Sequence, residues 1–318
     1  MRKGALFLLL AMAFASSPLA TTAQAQRARV FVASYGSDSN SCTFGSPCKT
    51  FQHAHDAVAA GGEITAIDSA GFGEVTITKS VTITSPNGVE AGIAAASGDA
   101  AITINAGLSD TVVLSGLTIG GAGSNVTGIN FQRGAELEVV NCAVRNNTGG
   151  AGIFVSPSSG TTTVLISNTI VSDISADGDA IDLFANGGTL QAALDHVTVN
   201  NNSNGVVALA LGGPVEVQIA NSHIDNNIDN AIVLGGTSPY VSNVILKDVT
   251  INQTPNGISL QGNSNVWLSN VTQTAVSGFS SYYGIAFTEG TDNSAFSDGA
   301  NHLMGSIAGV SLQSWPTN

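Results

Sequence analysis

Charge is scarce in this chain. Only 10% of its 318 residues are Asp, Glu, Lys or Arg, where soluble domains usually carry about 25%. The shortage falls on the basic side: 9 Lys and Arg face 22 Asp and Glu, for a formal net charge of −13. A surface of that sign cannot displace counterions from a phosphate backbone, which excludes nucleic acid as a natural partner. Cysteine is equally sparse, with 3 in the whole chain, so the fold is not a small disulfide-dense scaffold. Long hydrophobic runs are missing too. The longest apolar stretch, Ala5 to Ala15, falls well short of the ~20 residues of a membrane span. What the sequence has instead is apolar content of 43%, 37 glycines and a mean hydropathy of +0.26, the opposite of a disordered, highly charged tail. A chain of roughly 300 residues can bury about 75% of its unfolded surface, enough for a large core without metals.

Residues 1–25 read as a secretory signal peptide. Arg2 and Lys3 form the basic start, Ala5 to Ala15 the apolar region, and Ala23-Gln24-Ala25 the small-x-small cleavage site,. The mature domain is then 26–318, secreted or periplasmic, with cleavage near Ala25. It keeps Arg27, Arg29, Lys49, Lys79, Arg133, Arg145 and Lys247 as its basic residues against 22 acids. Export permits disulfides. Cys42 and Cys48, in Cys-Thr-Phe-Gly-Ser-Pro-Cys, read as a small structural bridge, since the two-residue spacing of a redox motif is absent,. Cys142 falls on an inward repeat position and reads as a buried free thiol.

A four-residue unit, small-β-branched-x-apolar, recurs as Gly128-Ile129-Asn130-Phe131, Gly152-Ile153-Phe154-Val155, Ala180-Ile181-Asp182-Leu183, Gly205-Val206-Val207-Ala208, Ala231-Ile232-Val233-Leu234, Gly257-Ile258-Ser259-Leu260, Gly284-Ile285-Ala286-Phe287 and Gly309-Val310-Ser311-Leu312. Between these copies runs a second unit in which apolar residues flank a polar bend, as in Val217-x-Ile219-x-Asn221-x-x-Ile224. Each repeat of about 26 residues therefore holds three short strands whose period-two alternation buries one face. No segment is long enough to be a covering helix, so each repeat must bury its face against the next. That describes a single-stranded parallel β-helix of about nine or ten rungs. A β-propeller would need about 40 to 45 residues per blade.

Asn141, Asn168, Asn221 and Asn270, with His196, Asp248 and Gly116 in register, occupy the bend, where a left-handed backbone is tolerated best by Gly, Asn or Asp. A second column, Asp179, Asn204, Asn230 and Asn256, precedes the small-β-branched unit and reads as a ladder of stacked amides. At the N-terminus, within residues 26–62, Ser46-Pro47 reads as a helix start and Gly61-Gly62 as its end, with Phe51, Ala54 and Val58 on one face. This helix would plug the open end of the stack. His53 and His55 on it point about 200° apart and cannot share an ion.

The rung pattern, together with the opening segments Tyr35-Gly36-Ser37-Asp38-Ser39-Asn40, Gly45-Ser46-Pro47-Cys48-Lys49-Thr50-Phe51-Gln52, Gly61-Gly62-Glu63-Ile64 and Gly73-Glu74-Val75-Thr76-Ile77, resembles right-handed parallel β-helix proteins of the pectin-lyase-like superfamily. The resemblance covers nearly the whole mature chain. It implies that the small-β-branched strands form the first sheet, the usual side of the substrate cleft. The outward row there, Asn130, Phe154, Asp182, Val207 and Val233 with Ser259, Ala286 and Ser311, is the expected ligand surface. It carries no base, which disfavours polyuronate lyase chemistry.

Acidic residues concentrate at Asp173, Asp177, Asp179 and Asp182. Asp177, Asp179 and Asp182 are the candidate catalytic carboxylates, since glycoside hydrolysis uses a carboxyl pair. Asp173, Asp177 and Asp179 are the candidate calcium ligands, although no cofactor is required by this reading. The His-Gly and Arg-x-Lys motifs of galacturonases are absent. His196 and His223 are weaker acid–base candidates, and His302 has no identified partner. The expectation is an exported, non-catalytic rod that binds a polysaccharide or protein partner. The alternative is a carbohydrate-active enzyme, galacturonase-like rather than a lyase.

Overall fold

The computed structural model describes residues 26–95, 100–121, 124–174, 178–274, 283–289, 293–303, 306–308 and 312–314. Every strand pairing between named strands is parallel, and each strand pairs with its equivalent one turn of the coil away. This is the β-helix that the repeat demands, because the buried face of one turn has nothing to cover it except the next.

The first sheet stacks the small-β-branched units. Ile102, Ile129, Ile153, Ile181, Val206, Ile232, Ile258 and Ile285 pair in one register. All of them are at most 1% exposed. Ile307 takes the next place, opposite Ile285; Val310, expected there, lies outside the described residues. The second sheet runs up to the polar bend, aligning Val112, Leu137, Val164, Ala192, Val217, Val244 and Val266. The third follows the bend and aligns Ile119, Val144, Val171, Val199, Ile224 and Ile251. β-Branched side chains suit these pleated, close-packed columns, having one favoured rotamer to lose.

The bend column is left-handed throughout. Asn141, Asn168, His196, Asn221, Asp248 and Asn270 have φ between 48° and 55°, and Gly116 has φ 72°. A second left-handed column, Asn146, Asp173, Asn201, Asn226 and Gln253, closes the third sheet with φ between 50° and 60°. Side-chain amides tie the rungs together: Asn204 Nδ2 donates to Asp179 Oδ1 at 2.8 Å and Asn230 Nδ2 to Asn204 Oδ1 at 2.8 Å. Inside the third-sheet corner, buried Asn202 donates to Asn227 Oδ1 at 3.0 Å.

The N-terminal strand Arg27–Val32 pairs with Val58–Ala66 and starts the second sheet. Between them lie the Cys42–Cys48 disulfide and the helix Phe51–Ala57. The helix is shorter than its sequence suggested. Its cap is Thr50, not Ser46: Thr50 Oγ1 accepts from the His53 N–H at 3.2 Å. Asp38 in turn accepts from the Lys49 and Thr50 N–H groups at 2.8 and 3.0 Å. The helix does not reach Gly61-Gly62 because Val58 already begins a strand that pairs across the first rung. A Cβ at Gly62 would meet the Ala28 carbonyl at 2.7 Å. Phe51 packs on Phe72 with ring centroids 5.0 Å apart. His55 rather than Val58 completes the helix's own buried face; burial lowers its pKa, and its Nε2 accepts from the Thr78 N–H at 3.2 Å.

Candidate functional site

The outward row of the first sheet is not an open cleft. Asp182, Val207, Val233 and Ser259 point away from the core yet are only 8%, 6%, 7% and 3% exposed. Asn130 and Phe154 are half-buried, and Phe154 meets Phe184 edge-to-face at 5.4 Å. Ser311 lies outside the described residues.

The acidic residues divide. Asp173 sits at the second left-handed corner, bonded to Ser172 Oγ at 2.9 Å and accepting from Asn201 Nδ2 at 3.0 Å. Asp177 lies outside the described residues. Asp179 and Asp182 do come together. Burial, then the charge and hydrogen bond of Asp179, push the Asp182 carboxyl up to about 8, so it is neutral at pH 7. Its Oδ1 is buried and has no hydrogen-bond partner among the described residues.

The remaining candidates are separate. His196 Nδ1 lies 2.8 Å from Asp195 Oδ2 on an exposed corner. His223 pairs in register with Thr198 and Thr250 on the third sheet, and His302 bridges Thr272 through its backbone. Among the described residues, the group with three metal-competent side chains is Cys42, Cys48 and His53, whose ligand atoms lie within 4.8 Å of one another. Its two sulfurs are already bonded to each other, which leaves His53 alone.

A groove of about 490 Å³ opens elsewhere, on the outer face of the second sheet. Its floor follows one row of outward positions: Leu165, Ala193, Gln218, Ile245 and Trp267, in register from rung to rung. Phe296 continues that row, and its ring stacks on Trp267 at 5.3 Å and 11°. Small Ala193 between Leu165 and Ile245 makes the depression. The parallel row, Thr163, Gln191, Glu216 and Asn243, forms a polar edge. Gln191 Nε2 donates to Glu216 Oε2 at 3.2 Å, and Asn265 Nδ2 to Asn243 Oδ1 at 3.0 Å. Rungs repeat at about 4.8 Å, so Leu165 to Trp267, four rungs on, spans roughly 19 Å along the axis.

Sequence reasoning passed over this groove because it sought the cleft on the first sheet. A signal was present. Counting three residues back from each bend residue gives Glu138, Leu165, Ala193, Gln218, Ile245 and Trp267 in turn, and counting five back gives the polar edge.

No protein-family model matches the sequence, and no curated protein matches it. Solved structures do. A pectate lyase, Pel9A, superposes with a TM-score of 0.58 at 15% identity, covering 88% of this chain and 81% of that one. The tailspike protein 2 of an Escherichia coli O157:H7 bacteriophage gives 0.47 at 11% identity over 77% of this chain and 39% of its own. A GH136 lacto-N-biosidase from Eubacterium ramulus gives 0.48 at 10% identity over 87% and 68%. The pectate lyase likeness establishes the fold, a right-handed parallel β-helix. No helix among the described residues is long and apolar enough to cross a membrane.

Proposed function

We propose that the chain is an exported rod that binds carbohydrate without cleaving it, and that the second-sheet groove is where it does so. The observation that carries this reading is the groove's composition. Sugar rings present apolar C–H faces and hydroxyl edges. Trp267, with Phe296 stacked against its ring, joins Leu165 and Ile245 in giving the groove apolar surface, while Gln191, Gln218 and Asn243 offer amides that both donate and accept,. A row of side chains running along the axis suits an extended polymer. The likeness to a pectate lyase lends support, since this fold carries a carbohydrate-active protein there. The disulfide supports the exported location,.

Titration calorimetry with oligosaccharides tests the reading, and Trp267→Ala is the variant that removes the platform. Loss of a buried aromatic anchor should weaken binding about tenfold or more, equivalent to roughly 1.4 kcal/mol. Unchanged affinity in Trp267→Ala would overturn the assignment of the groove.

The galacturonase-like alternative rests on one specific observation, the neutral carboxyl of Asp182 beside Asp179, which is the protonation state of a general acid. Reducing-end release from the same oligosaccharides, abolished in Asp182→Asn, would establish that alternative in place of the binding rod.

A further inference from the structure

We infer that the groove selects uncharged glycans, with Glu216 as the residue that rejects polyuronates; this rests on the groove being the carbohydrate site. The lining includes one ionisable side chain, Glu216, and no cation. Glu216 is exposed on the polar edge, where its Oε2 accepts from Gln191 Nε2 at 3.2 Å. The rest of that sheet face repeats the sign. Glu136 and Glu138 stand outward on the rungs before Leu165, in register with Thr163 and Leu165. Asp195 stands outward beside Ala193 in the adjoining row. Against these acids, Lys247 is the cation of this stretch, in the adjoining row two residues from Ile245, and it does not line the groove.

A carboxylate on each sugar would need compensating Arg or Lys at successive rungs, and would instead meet Glu216 on the polar edge. Such a like-charge contact discriminates against a ligand of the same sign, more strongly at low salt. Hydroxyls have no such penalty. Gln191, Gln218 and Asn243 can each bond to a hydroxyl in either direction, and Glu216 itself accepts from one, in a charge-assisted bond. The acceptors and the platform therefore fit a neutral hexose or pentose polymer.

The experiment uses the folded mature protein, its disulfide intact, and titrates it in parallel with cellohexaose, xylohexaose and mannohexaose as neutral probes and with hexagalacturonate as the acidic one. Binding of a neutral probe is expected, with hexagalacturonate at least tenfold weaker. Glu216→Lys should narrow or reverse that ratio, with a uronate affinity that falls as salt rises. Glu216→Gln, which keeps the shape and removes the charge, should also narrow it and guards against a folding defect in the lysine variant. Hexagalacturonate binding at Trp267 that equals or exceeds the neutral probes would overturn the inference and leave the carbohydrate reading standing. So would a ratio unmoved by both Glu216 variants. Failure of every probe to bind would remove the carbohydrate reading itself, and this inference with it.

Discussion

Replacing Asp182 by Asn exchanges one oxygen for an amide nitrogen at a side chain 8% exposed and removes a carboxyl that folding keeps protonated. In the unfolded chain this group ionises near its ordinary value of 3.8; in the folded chain, burial and then Asp179 raise it to about 8. Between those values the folded state binds the additional proton, so stability falls as pH rises. The contribution is fully present below about pH 4 and lost progressively up to about pH 8. Each pKa unit corresponds to about 1.36 kcal/mol, so a shift of roughly four units sets a ceiling near 6 kcal/mol. Relaxation around the ionised pair lowers that to about 2–4 kcal/mol. Asn cannot ionise, so the variant lacks the carboxyl whose pKa folding raises. Asp182→Asn should therefore match the wild type at pH 4.5 to within about 1 kcal/mol and exceed it by about 2–4 kcal/mol at pH 8. Urea denaturation of both proteins at pH 4.5, 6 and 8 measures this as a difference that grows with pH. The difference cancels groups common to both, such as Asp195, which Asn221 and then His196 hold below the usual carboxylate range. A difference independent of pH, or a variant less stable at pH 8, would refute the protonated pair.

Four further outcomes follow from the same packing. Ile232→Asp places an unpaired charge in a column that is 0% exposed and should destabilise by about 3 kcal/mol or more in denaturant melts. Val233→Asp should cost about 1–3 kcal/mol by the same measurement; its outward direction alone suggests 1 kcal/mol or less, but the side chain is only 7% exposed. Asn221 combines a left-handed φ of 49° with a 2.8 Å bond to Asp195 Oδ1. Asn221→Val should therefore lower stability by about 2 kcal/mol and Asn221→Gly by under 1, because glycine loses the bond without the strain; equal losses would show that the strain is immaterial. Thiol titration of the denatured, unreduced protein should count a single group, Cys142. In the native state that group should resist alkylation, since it is 4% exposed and burial pushes its thiol up to about 11. Three thiols on denaturation would mean the N-terminal loop holds no bridge.

The order of residues by itself determined the coil, its inward column and its first corner. Alternation, a β-branched inward residue and an Asn that accepts a left-handed backbone are properties each residue carries locally, and their repetition leaves the buried face no partner except the next turn. The disulfide was legible for the same reason, its two cysteines being six apart. Tertiary structure decided what no single repeat contains. The helix begins at Phe51 because Thr50 and Asp38 converge there, and it stops at Ala57 because Val58 is claimed by a strand partner. Asp182 has a raised pKa because the first sheet buries an outward position that the alternation pattern marks as exposed. The groove exists because Leu165, Ala193, Ile245 and Trp267, each ordinary in its own repeat, stand in one row when the coil closes. Secondary structure depends on neighbours along the chain; a binding surface depends on neighbours one full turn away, and only the register between rungs determines which residues those are.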